Sequence, residues 1–249
     1  MQAFWFRLTC FAMAVCAVCA TRAAAQAAQP PARSEENVDG RAAFLIGVSF
    51  FDLGELNDRL ASADYSRLDG AMTVIGGEGH VVLENGFMAG GMGAAVIGPS
   101  GEGPNNLDTD FSGGFGMADL GFALVHTPSV LFGVLGNIGG YGWSLSIDTP
   151  GSASFARVLE DPTRGTRLER SGVFGGATLM FEGRVPVGQI ERNHQGFFSL
   201  GVRVSGLWGP PMGSWSLPDG SDTTSDPDTG MAGFFAALTL GFGGRPVKP

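Results

Sequence analysis

In the stretch GFFSLGVRVSGLW, Gly196 to Trp208, alternate positions carry Phe198, Leu200, Val202, Val204 and Trp208, while Ser199, Arg203 and Ser205 fall between them. The segment from Gly230 to Phe242 repeats the pattern. Ala232, Phe234, Ala236, Leu238, Leu240 and Phe242 form one row, and Met231, Gly233, Phe235, Ala237, Thr239 and Gly241 the other. A repeat of two is the signature of an extended chain whose side chains point to opposite faces. It leaves one question open. A soluble sheet turns its apolar row inward, whereas a membrane barrel turns that row to lipid and lets the mixed row line its interior.

Eight such runs divide the chain: Arg41–Leu53, Gly70–Leu83, Phe87–Gly98, Thr109–Val125, Val130–Ile147, Ser171–Val187, Gly196–Trp208 and Gly230–Phe242. Their connections alternate between short and long. Glu84-Asn85-Gly86 suits a tight hairpin because Asn and Gly tolerate positive φ, and Pro128 interrupts a ladder within His126–Ser129. GQIERNHQ makes a third short turn. The longer connections are Gly54–Asp69, the loop through GPSGEGPNNLD, Asp148–Arg170 and Gly209–Asp228. Within the first, Asp52 and Glu55 are placed to cap a short helix carrying Leu56 and Leu60 on one side, a lid for a barrel mouth. The glycine-rich fourth and fifth runs alternate least cleanly, and the fifth loses its alternation midway.

The N-terminus reads as a secretory signal peptide, residues 1–25: Arg7, an apolar run from Leu8 to Ala20, then Ala23-Ala24-Ala25. The run is shorter than the ~20 residues a spanning helix needs. Residues 26–40 read as a disordered lead-in, 41–243 as a barrel domain and 244–249 as a C-terminal tail. Cys10, Cys16 and Cys19 all lie within the signal segment, so the mature chain offers no disulfide or thiolate chemistry. Charged residues make up 16% of the chain and the net charge is -9, which removes the basic footprint of a nucleic-acid binder.

An even number of antiparallel strands with short turns at one end and long loops at the other resembles the small eight-stranded outer-membrane β-barrels of Gram-negative bacteria. The resemblance implies an all-β, up-and-down transmembrane barrel in the cell outer membrane, with lipid around it and long loops outside for a ligand or cell-envelope partner. LTLGF, Leu238 to Phe242, is similar to the aromatic-ended last strand that such barrels present to their insertion machinery, although here GGRPVKP follows it.

The period-two rule gathers the charged groups onto the mixed rows: Glu78 and His80 in the second run, Asp119 in the fourth, Glu182 and Arg184 in the sixth, Arg203 in the seventh. In a barrel they form a polar interior network, Arg203 pairing with carboxylates of other strands. An eight-stranded barrel is just wide enough for side chains to fill, so the expectation is a closed polar core. Tyr141, Trp143, Trp208 and Trp215 fall near loop ends, where an interfacial aromatic girdle would sit.

No catalytic, cofactor or metal site is expected. A His80–Glu78–Asp119 metal site and a divalent site among Asp219, Asp222, Asp226 and Asp228 lack defining spacing, and lipid-modifying barrel chemistry would have only His80 to draw on. Two other architectures fit the same alternation: a secreted or periplasmic β-sandwich with facing apolar rows, and a narrow passive pore through the polar row.

Overall fold

The computed structural model describes residues 38–68, 70–102, 108–148, 165–191, 194–212, 214–224, 226–227 and 229–246. The expected signal peptide, with its three cysteines, lies outside the described residues, as do most of the lead-in and Asp228.

Eight strands follow one another in chain order: β1 (Asp39–Phe51), β2 (Met72–Val82), β3 (Phe87–Glu102), β4 (Asp108–His126), β5 (Val130–Asp148), β6 (Gly165–Glu191), β7 (His194–Gly209) and β8 (Met231–Pro246). Each pairs antiparallel with its sequence neighbours, and β1 closes the ring on β8 with Ala42 opposite Phe242 and Ile46 opposite Leu238. The β-sandwich alternative is thereby corrected. One sheet closes on itself, and every strand has a partner on both sides in the ring.

The apolar rows face outward. Phe44, Ile46, Val48 and Phe50 of β1, Leu179 and Phe181 of β6, and Leu238, Leu240 and Phe242 of β8 are exposed, whereas the alternate row of β7 is buried from Phe197 to Leu207. Arg203 is 1% exposed and Leu200 63%, which settles the orientation of that strand. Outward aromatic rings pack across strand pairs, as Phe50 does on Phe234 with centroids 5.0 Å apart.

Several boundaries move. β1 begins at Asp39, inside the expected lead-in, and β8 continues through Gly244 to Pro246, inside the expected tail, because Asp39 pairs with Val82 of β2 and Pro246 with His194 of β7. β6 starts at Gly165 instead of Ser171, since it pairs with β5 up to Asp148. β5 keeps its alternation throughout, with Leu131, Leu135, Asn137, Tyr141, Trp143 and Leu145 buried and Val134 and Ile138 exposed. Its glycines have no side chain to mark a face, which hid the continuity.

The first hairpin also differs in detail. Only Gly86 takes positive φ (+81°). Its N–H donates to the Leu83 carbonyl at 2.9 Å, and the Phe87 N–H donates to Asn85 Oδ1 at 2.9 Å. Asn85 thus caps the turn by a side-chain hydrogen bond, and glycine alone supplies the left-handed residue.

A helix, α1 (Gly54–Ser62), follows β1. Asp52 accepts the Gly54 N–H at 3.0 Å, but the N-cap position is Leu53, which carries no side-chain cap, so the expected capping by Asp52 is corrected. Leu56 and Leu60 lie four residues apart on one face, and both are buried in the cluster that fills the barrel below.

Candidate functional site

The interior is built in two parts. Toward the short-turn end lies an ionic network, flanked by a small apolar cluster of Val82, Met88, Leu131, Leu135 and Met180, and toward the long-loop end an apolar plug.

The network is made by side chains projecting from nearly every strand. Arg203 of β7 reaches across to β2 and β4: its Nη1 donates to Glu78 Oε2 at 2.9 Å and Asp119 Oδ2 at 2.9 Å, and its Nη2 to Asp119 Oδ1 at 3.1 Å. Arg41 of β1 bridges Glu78 Oε1 and Glu182 Oε2, each at 2.5 Å. Arg184 of β6 donates to Glu182 Oε1 at 2.7 Å and to Asp39, while its guanidinium lies 4.7 Å over the Phe197 ring. Asp39 also meets His126 Nε2 at 3.0 Å. Asn137 passes the chain onward, donating to Asp119 at 2.6 Å and accepting from the Thr178 hydroxyl at 2.9 Å.

Three guanidiniums (Arg41, Arg184, Arg203) thus face four carboxylates (Asp39, Glu78, Asp119, Glu182), all buried. Charges removed from water are tolerated only when paired and hydrogen-bonded, and the forked guanidinium meets two acceptors at once. Arg203 and Arg184 do so through hydrogen bonds, while Arg41 donates to Glu78 and is ion-paired with Glu182. His80 Nε2 stands 3.0 Å from Arg41 Nη2 and 3.1 Å from Met180 Sδ. Arginine can only donate, so toward Arg41 this nitrogen is the acceptor.

The structure therefore places Glu78, His80, Asp119, Glu182, Arg184 and Arg203 inside the barrel and brings them together with Arg41 and Asp39. Those two were missed. The rule that found the others, applied to the first run, puts Arg41 on the row opposite Ala42 and Phe44. Asp39 lay two residues before the expected start of the strand.

Above the network, Phe111, Phe115, Tyr141, Trp143, Phe174 and Phe235 fill the bore in one buried cluster capped by Leu56 and Leu60 of α1. Phe115 contacts Phe174 edge-on and Phe235 at a tilt, with centroids 6.1 and 5.4 Å apart. The expected aromatic girdle is corrected here. Tyr141 and Trp143 share the inward row of β5, and Trp215, in the loop between β7 and β8, is buried. Trp208, 68% exposed on the outward row of β7, is the one of the four that faces out. Nearness to a loop end was satisfied equally by the inner and outer walls, and only the phase of the strand decides between them.

The acidic loop between β7 and β8 uses its carboxylates on itself. Asp219 accepts from the Ser221 N–H at 2.9 Å and hydroxyl at 2.6 Å, Asp222 from the Ser216 hydroxyl at 3.1 Å, and Asp226 from the Trp215 N–H at 2.9 Å. The Ser221 bonds hold the Asp219 carboxyl below its ordinary pKa. Among the described residues no three His, Asp or Glu side chains converge as a metal site.

No protein-family model matches the chain, and no curated protein matches it in sequence. Solved structures of three proteins are among those that resemble it. Ail, the attachment invasion locus protein of Yersinia pestis, is 14% identical with a TM-score of 0.43, over 85% of this chain and 99% of its own; it has also been solved with the heparin analogue sucrose octasulfate. Neisserial surface protein A is 10% identical with a TM-score of 0.42, over 83% and 95%. The outer membrane protease OmpT from Escherichia coli is 10% identical with a TM-score of 0.32, over 88% and 99%. These are outer-membrane proteins of Gram-negative bacteria, and the barrel fold of the present chain rests on its own strand pairing.

Proposed function

We propose that the chain is an integral outer-membrane β-barrel with a structural or surface-interaction role, its interior closed and its four long connections facing outside. One observation carries this reading: the molecule is inside out. The bulky apolar side chains of β1, β7 and β8 lie on the outer wall, while the three arginines and four carboxylates of the network are sealed within. Lipid is the solvent that makes such an outer wall favourable, and ring closure leaves no strand edge unpaired within it.

The role is non-catalytic. The interior carboxylates are committed to arginines, and His80 is held between Arg41 and Met180. A passive pore has less support, since the aromatic plug occupies the bore above the charges. Insertion-machinery contacts follow from the alternating β8 strand, which runs past Phe242 to Pro246.

The test is fractionation with a boiling comparison. The processed chain is expected in the outer-membrane fraction, resistant to carbonate extraction, with a gel mobility that changes on heating. A monodisperse, folded chain in buffer without detergent would overturn the reading. Discrete single-channel conductance in planar bilayers would overturn the closed interior.

A further inference from the structure

The long-loop end carries a cleft that neither the ionic network nor the plug uses. Its volume is about 200 Å³ and its walls are almost wholly apolar. Leu60 and Tyr65 form the side that begins in α1, Ile147 and Leu168 the side from β5 and β6, and Trp215 the third. Arg59, in the last turn of α1, stands at the rim. Its side chain makes no ion pair or hydrogen bond with the described residues, whereas its neighbour Asp58 is paired with Arg67 at 3.1 Å. Asp226, which also lines the cleft, is engaged by the Trp215 N–H and the Thr223 hydroxyl. The uncommitted charge at this mouth is therefore a cation, on a chain whose net charge is -9.

We propose that this cleft binds a small apolar anion: one aromatic ring or short alkyl group in the cleft, its carboxylate or sulfonate against Arg59. A cavity of roughly 150 Å³ already takes a benzene ring, so the space suits a ring with one or two added carbons. Apolar walls with a single placed polar group are the ordinary build of a small-molecule site. The apolar part supplies most of the affinity, and the guanidinium selects the charged head by a forked, charge-assisted hydrogen bond. The inference rests on the outer-membrane reading, which puts these loops outside.

The experiment titrates 4-ethylbenzoate, and separately its neutral isostere 4-ethylbenzamide, into the full processed chain in lipid nanodiscs by calorimetry, with empty nanodiscs subtracted. The benzoate is expected to bind with a Kd on the order of 0.1–1 mM and the amide roughly five- to tenfold more weakly. Arg59→Gln, an exposed substitution, should remove that difference while leaving amide binding unchanged. Ala63→Trp, which fills the cleft from its rim, should abolish both. Equal binding of benzoate and amide to the unmodified chain, no binding of either, or binding undisturbed by Ala63→Trp would overturn the proposal. A chain that fails to enter nanodiscs overturns the membrane reading instead; one that enters, shifts on heating and ignores the benzoate overturns the cleft alone.

Discussion

The two parts of the barrel interior fill the same narrow bore with opposite chemistry. The lower part is a set of charges in which every member depends on the others: Arg203 serves Glu78 and Asp119, Arg41 serves Glu78 and Glu182, and Arg184 serves Glu182 and Asp39. The upper part is a pile of rings and aliphatic groups held by volume and contact. Loss of one ring leaves a cavity whose cost is local. Loss of one guanidinium leaves buried carboxylates with too few partners, a cost that passes to residues on other strands. The difference is between a core that tolerates approximation and one that requires completeness.

The comparison is sharpened most by removing Arg203. Arg203→Met should destabilise the barrel by about 3–5 kcal/mol, because Glu78 and Asp119 lose a shared cation, as read from urea unfolding in lipid vesicles. Adding Asp119→Asn should recover part of that loss, giving a coupling of about 1–3 kcal/mol in a double-mutant cycle. An additive pair would break the claim of interdependence. In the plug, Phe115→Ala should cost about 3 kcal/mol as a cavity, with no recovery from any single charge change below. On the outer wall, Leu240→Arg should cost about 2 kcal/mol through its exposure to hydrocarbon; a neutral result in vesicles would show that water, and not lipid, covers that position. The smallest effect lies in the acidic loop. Folding lowers the Asp219 pKa from its ordinary value of about 3.9, so its contribution is fully present above that value and is lost as pH falls through the lowered folded value. Amide exchange at Ser221, corrected for intrinsic rate, should speed up at that acid end, and Asp219→Asn should remove the dependence.

Much of this was legible in the sequence because a strand writes its two environments on alternate residues. Leu200 and Arg203 differ in exposure as their parity requires, and the outward rows of β1, β7 and β8 could be named before any strand was paired. Legibility failed where parity had nothing to act on. Gly139, Gly140 and Gly142 carry no side chain to mark the phase of β5, and nearness to a loop end alone puts Tyr141 and Trp143 at the interface when they belong to the plug. It failed again at strand ends. Asp39 joins the network because pairing extends β1 beyond its apolar run, and extension is decided by the partner strand. The partners of Arg203 were beyond reach for a related reason: parity says that a side chain points inward, but shear and register decide which inward side chains meet.

Above the level at which all eight strands are present, the wall is incomplete. β6 rises from Gly165, yet β7 begins to pair with it only at Gly175 opposite Trp208. Over that stretch Glu169 exchanges two backbone hydrogen bonds with Ser216, of 3.0 and 2.8 Å. A closed ring is the usual protection against one molecule adding strands to the next, and a rib taller than its neighbour forfeits that protection. The segment around Ser216 splints part of that bare rib, taking up backbone donors and acceptors of Glu169 that would otherwise be open to another strand.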